Sequence, residues 1–227
     1  MEILSIILTI ILIILIRQIL INKKADYKGL DHQIDTYFNV NIGRLKLREG
    51  SIENNLIQES SELWLVGSSY NLNIIKSDNE LVYLKLTDNN EQKTVIERTE
   101  NSELENTNFD VYTFGTFCGF TGTPPDKCQS MLDLVNSYNY DQLASWLKSI
   151  NPEIATYGYI GLELLKKKGI IIENIESQRM IELSESDIQL NTCYGCIIGV
   201  TERIEDVLTT KNINQIYLSF QQSGWIK

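Results

Sequence analysis

Residues 123–169, TPPDKCQSMLDLVNSYNYDQLASWLKSINPEIATYGYIGLELLKKKG, decide the reading of the fold. Thr123 with Asp126 matches a capping box, and Pro124 falls at the first helical position, where its missing N–H is harmless. Met131, Leu134, Val135 and Tyr138 then recur at i, i+3, i+4 and i+7, the period of one helix face. Leu143, Trp146, Leu147 and Ile150 repeat that spacing in a second helix. A third opens at Asn151-Pro152-Glu153 and carries Ile154, Tyr157, Ile160, Leu164 and Leu165. It places Lys166, Lys167 and Lys168 at its negative end and stops at Gly169. Gly158 and Gly161 would each weaken an isolated helix by about 1 kcal/mol, so the sequence predicts close approach of a neighbour at both.

Towards the N-terminus the period shortens to that of strands. The runs 63–66, 72–75, 81–86 and 94–96 are β-prone and separated by turn formers at 67–69, 77–79 and 88–90. A further strand is expected around 36–47. Connections this short favour hairpins, hence an antiparallel meander. In the run 81–86, Val82, Leu84 and Leu86 are expected on one face, with Tyr83 and Lys85 on the other. Residues 101–108 read as an exposed loop, and 109–118 as a further aromatic strand. Beyond Gly169 come an apolar stretch at 170–175, a short helix at 177–183 and a strand at 188–196. Thr201 is expected to cap a helix carrying Ile204, Val207 and Leu208, and 215–220 to form a last strand. The fold class is α+β, with a β-rich half at 31–122 and a helix-rich half at 123–227.

Preceding this body, Ile3 to Ile21 (ILSIILTIILIILIRQILI) is nearly continuous hydrocarbon. A helix over it matches the thickness of a bilayer core, so the expectation is a single-pass transmembrane anchor at 1–22 and a basic juxtamembrane segment at 23–30. No basic n-region or small-residue cleavage site marks it as a removable signal. Arg17, Lys23, Lys24 and Lys28 lie on the C-terminal flank of the rod, which places the body on the cytoplasmic side by the positive-inside rule. Disulfides among the cysteines would argue for the extracytoplasmic side instead. The expected partners are the lipid bilayer and another protein.

The chain carries a net charge of −10. Residues 53–110 hold twelve acids against Lys76, Lys85, Lys93 and Arg98, a surface that repels phosphate backbones and argues against nucleic acid.

The chemistry-bearing candidates are few. Cys118 and Cys128 flank a glycine-rich stretch (CGFTGTPPDKC), while Cys193 and Cys196 form CYGC. Buried or disulfide-bonded structural cysteines, a structural zinc site recruiting all four thiolates, and a redox pair at Cys193 and Cys196 are the competing readings. The nine residues between the first two cysteines are too many for a zinc knuckle, and no cofactor is otherwise expected. Cys128, in the first turn of a capped helix, is expected to have a lowered pKa. Gly115, Gly119 and Gly122 offer backbone N–H groups that could cradle an anion, or simply make a tight turn. His32, the sole histidine, lies in a polar run, and no catalytic set is evident around it. Within the helices, residues 140–169 resemble one helical hairpin of a HEAT-like repeat, without a second copy; the resemblance implies packing and protein recognition and carries no catalytic residues. The leading functional expectation is a membrane-anchored interaction or binding module, with thiol or zinc chemistry at the four cysteines as the alternative.

Overall fold

Alternating apolar residues and tight turns lay down the first part of the chain as a meander. The computed structural model describes residues 43–52, 55–65, 68–78, 80–99, 104, 107–120, 122–195 and 197–226. Strands β1 (Gly43–Ser51), β2 (Leu56–Leu65), β3 (Ser68–Ser77), β4 (Glu80–Asp88) and β5 (Lys93–Thr99) form one sheet in sequential order. β3 and β4 pair antiparallel, with Leu72 opposite Leu86 and Ile74 opposite Leu84. Asp78 takes φ +50° in the tight turn between them, a conformation that Asp tolerates better than most residues. The expected two-faced β4 is not seen: Tyr83 is as buried as Leu84 and Leu86. Its phenol donates to Glu97 at 2.9 Å, so a large ring can be withdrawn from water with its polar end satisfied.

The remainder is helical around a second core. It comprises α1 (Asp126–Asn136), α2 (Tyr140–Leu147), α3 (Pro152–Lys167), α4 (Asn174–Ser184), β6 (Gln189–Tyr194), β7 (Ile197–Arg203), α5 (Ile204–Val207) and α6 (Thr210–Gln222). β6 and β7 make a two-stranded antiparallel sheet. Buried Leu132, Leu143, Leu147, Tyr157, Ile160, Leu164 and Phe220 belong to one cluster. α3 begins as its sequence dictates: the Asn151 side chain accepts from Ile154 N, Pro152 stands in the first turn, and Gly169 takes φ +91° beyond the end. The α-helical glycines are also explained. A Cβ on Gly158 would collide with the backbone of Leu147 and Trp146, and one on Gly161 with Leu143.

Further local expectations fail. The segment 109–118 forms no strand and carries only isolated bridges at Phe114 and Cys118. Helix α1 starts at Asp126 with Pro125 at the cap position and no side-chain cap, because Thr123 is taken up in a bridge with Cys118. Thr201 lies within β7, so the following helix starts only at Ile204. Residues 215–220 are helical: Ile213, Ile216, Tyr217 and Phe220 share one face of α6, which the Thr209 side chain caps by accepting from Asn212 N.

The membrane expectation is corrected as well. Among the described residues no helix is long and apolar enough to cross a membrane. The longest, α3, has 16 residues, a rise of about 24 Å against a hydrocarbon core of about 30 Å, and it carries Glu153, Glu163, Lys166 and Lys167. The expected rod from Ile3 to Ile21, the basic segment at 23–30 and His32 all lie outside the described residues. Among the described residues the α+β fold thus contains no transmembrane element, and the single-pass localisation, on either side of a membrane, is not supported.

The chain divides into two compact units, residues 1–47 with 59–105 and residues 48–58 with 106–227. The division differs from a cut at residue 122. Residues 106–122 belong with the helices because Phe114 and Cys118 bridge to β6 and its end. Residues 48–58 join them through Arg48, which pairs with Glu153.

Candidate ligand-binding cleft

Two aromatic residues flank Gly115 and Thr116 in Phe114-Gly115-Thr116-Phe117, and this segment forms one wall of a cleft in the helix-rich unit. It runs parallel to β6. Phe114 N donates to Asn191 O at 2.7 Å, Cys193 N donates to Phe114 O at 2.9 Å, and Gly195 N donates to Phe117 O at 3.2 Å. From behind, the buried Tyr157 of α3 holds the same segment: its hydroxyl accepts from Gly115 N and donates to Gly115 O, both at 2.9 Å. Burial pushes this phenol well above its ordinary range, so it stays protonated and both bonds persist at any physiological pH. A disulfide between Cys118 and Cys193 ties the end of the wall to β6. Gly115 packs beneath the bridge, where a Cβ would come within 2.8 Å of Cys118 Sγ and nearer still to Cys193 Sγ.

The opposite wall is α6, which presents Asn212, Gln215, Ile216 and Ser219 at i, i+3, i+4 and i+7. Thr192 of β6 and Glu202 of β7 complete the polar lining, and Phe117 and Val207 supply apolar surface. The cleft measures about 390 Å³, within the range of small-ligand sites. Two of its side chains donate within the fold. Thr192 Oγ1 donates to Val200 O at 2.8 Å, and Asn212 Nδ2 donates to Asp206 O at 2.9 Å. Thr192 is thereby left with acceptor capacity alone, whereas Asn212 keeps its amide oxygen and one N–H. Phe117 is itself fixed by Trp225, with ring centroids 4.9 Å apart.

No protein-family model, curated protein or solved structure matches the chain. What the site can do rests on its own side chains.

The candidates named from the sequence are only partly gathered here. Cys118 and Cys193 are joined to each other, which pairs one member of each cysteine motif and leaves neither as a free thiol. Cys128 stands apart from them, fully buried on α1. Its pKa is not lowered by the helix end. Burial pushes the thiol up to about 12, because desolvating a thiolate outweighs the dipole of an uncapped N-terminus. Cys196 lies outside the described residues. Among the described residues no three His, Cys, Asp or Glu side chains converge as a metal site would need. The glycine set has its N–H groups engaged inside the chain: Gly115 N on Tyr157, Gly119 N on Gly195 O at 2.6 Å, and Gly122 N on Gly119 O at 3.2 Å. Gly119 and Gly122 hold φ of +74° and +61°, so they serve the tight turn that leads into α1.

Two features escaped the sequence reading. The α6 face was hidden by reading 215–220 as a strand, although Ile213, Ile216, Tyr217 and Phe220 carry the helical period. The second is a buried ion pair. Arg48 pairs with Glu153, which is wholly enclosed at the start of α3 and also accepts from Asn191 N at 3.0 Å. Burial raises the Glu153 pKa, opposed by the Arg48 charge and the Asn191 N–H. Local patterning reveals only that an acid is favoured in a first helical turn; a guanidinium from 105 positions away leaves no such trace.

Proposed function

We propose that this chain is a binding module, and that the cleft between the Phe114–Phe117 segment and α6 is where it takes its ligand. The observation that carries the reading is the contrast between the two aspects of that wall. From behind it is fixed by Tyr157, the β6 pairing and the disulfide. Towards the cleft the described residues of the lining offer hydroxyls, amides, one carboxylate and apolar patches, and among them no nucleophile is held against a base. Pre-organised walls lower the ordering cost of binding, and scattered polar groups over apolar surface fix a ligand's orientation. Both suit recognition. Acyl or phosphoryl transfer would need an activated nucleophile or an array of cationic donors.

Selection of displayed random peptides against the full chain tests the proposal. A parallel selection uses Ser219→Trp, which fills the cleft from α6. Peptides that bind the native chain and lose binding to the filled variant support it. A set of binders indifferent to Ser219→Trp, or no binders at all, removes the cleft as the recognition site.

A further inference from the structure

We infer that the cleft selects an extended peptide bearing a lysine or arginine, with an apolar residue two positions away, laid along the outer edge of β7. The inference rests on the binding reading above and specifies its ligand. Among the described residues Glu202 is the only charged one lining the cleft. It has an interaction within the chain already, but a carboxylate offers about four lone-pair positions and can take further donors. Two other groups of the lining are compatible with that preference. With its single donor committed to Val200 O, Thr192 offers only acceptor capacity, and Asn212, one amide proton of which is taken up by Asp206 O, adds a carbonyl oxygen. Acceptors lining the same cleft as a half-buried carboxylate suit a group rich in N–H and poor in lone pairs, which describes ammonium and guanidinium. The net charge of −10 attracts such a ligand from a distance.

The strand edge supplies the main-chain part of the recognition. β7 pairs with β6 on one side, and among the described residues no third strand joins the sheet. An antiparallel strand directs alternate backbone groups to its far side, which can pair with an added extended segment. Val200 and Glu202 are two positions apart and lie on the same face, opposite Thr192 and Leu190 respectively, without a register shift between them. Val200 is exposed. A strand laid alongside matches that period: its basic side chain meets Glu202 while the residue two away covers Val200.

The test uses the full chain and the peptides selected against it. Cleft-dependent binders should be enriched in lysine or arginine spaced by two from an apolar residue. Replacing that lysine by norleucine, which leaves the protein untouched, should weaken binding by roughly tenfold or more. Glu202→Gln should produce a similar loss and flatten the salt dependence of the native complex. Cleft-dependent binders with no basic preference, unaffected by norleucine and by Glu202→Gln, would overturn this inference while leaving the binding module intact. Tight, cleft-dependent and Glu202-dependent binding of free lysine amide, with no gain from the rest of the peptide, would overturn the extended peptide in favour of a small amine. Absence of any cleft-dependent binder sinks both.

Discussion

Glu153 and Arg48 are withdrawn from water together, and the free energy of that arrangement depends on both being present. Removing one leaves an uncompensated buried charge, at a cost of about 3–5 kcal/mol, whereas replacing both by apolar residues of similar volume is often close to neutral. Arg48→Met should therefore be strongly destabilising in urea titrations, and Arg48→Met with Glu153→Leu should recover much of the loss. The Asn191 N–H that loses its acceptor limits the recovery. A pH signature accompanies the pair. Burial holds the folded pKa of Glu153 above its ordinary 4.5, so between the two values the folded state keeps a proton that the unfolded chain has released. The stabilisation from that proton is complete at low pH and is lost as pH rises through the folded value. Relative to the non-titrating Glu153→Gln, the native chain should lose stability across that window; a flat difference would show the pKa to be unshifted. Cys128 gives a simpler outcome. With its thiol pushed up to about 12 and enclosed on α1, it should resist iodoacetamide at pH 8 in the native protein and react once urea unfolds it.

At the scale of elements, the α2–α3 contact sets helix propensity against close packing. Gly158→Ala gains about 1 kcal/mol of propensity, but its methyl meets backbone atoms of Leu147 and Trp146, which cannot turn aside as a side chain can. Overpacking costs of about 1–3 kcal/mol are usual even where side chains yield, so the variant should be net destabilised and show a lower thermal midpoint. Gly161→Ala meets only the Leu143 side chain first and should be the milder of the two. That this contact was legible from sequence while the cleft was not has a physical basis. Asn151, Pro152, Gly158, Gly161 and Gly169 each perform a local task that only their residue type performs well, and the strand runs of the meander are similarly local. The errors arose where a local signal had a rival. Gln215 to Phe220 is short and mixed enough to satisfy strand and helix patterns alike. Thr123 matches a cap but is drawn into a bridge with Cys118. The pairing of Cys118 with Cys193, and of Arg48 with Glu153, is settled by tertiary approach, to which spacing along the chain is blind.

At the scale of the molecule, the Cys118–Cys193 bridge acts on one of two units. It spans 75 positions, all of them within the unit formed by residues 48–58 and 106–227. In the chain-entropy description a loop of that length stabilises the folded state by about 4 kcal/mol, with 2–4 kcal/mol more usual in practice. Reduction therefore threatens only the unit in which the loop lies. Hydrogen exchange with and without dithiothreitol should show the consequence directly: amides of α3, β6 and α6 become less protected under reducing conditions, while those of β3 and β4 keep their rates. The Cys118→Ser, Cys193→Ser double variant should reproduce the reduced pattern without reductant, and reductant should then have no further effect on it. A uniform fall in protection, reaching β3 and β4 as well, would mean that the two units unfold as a single cooperative body and that the bridge stabilises the whole chain.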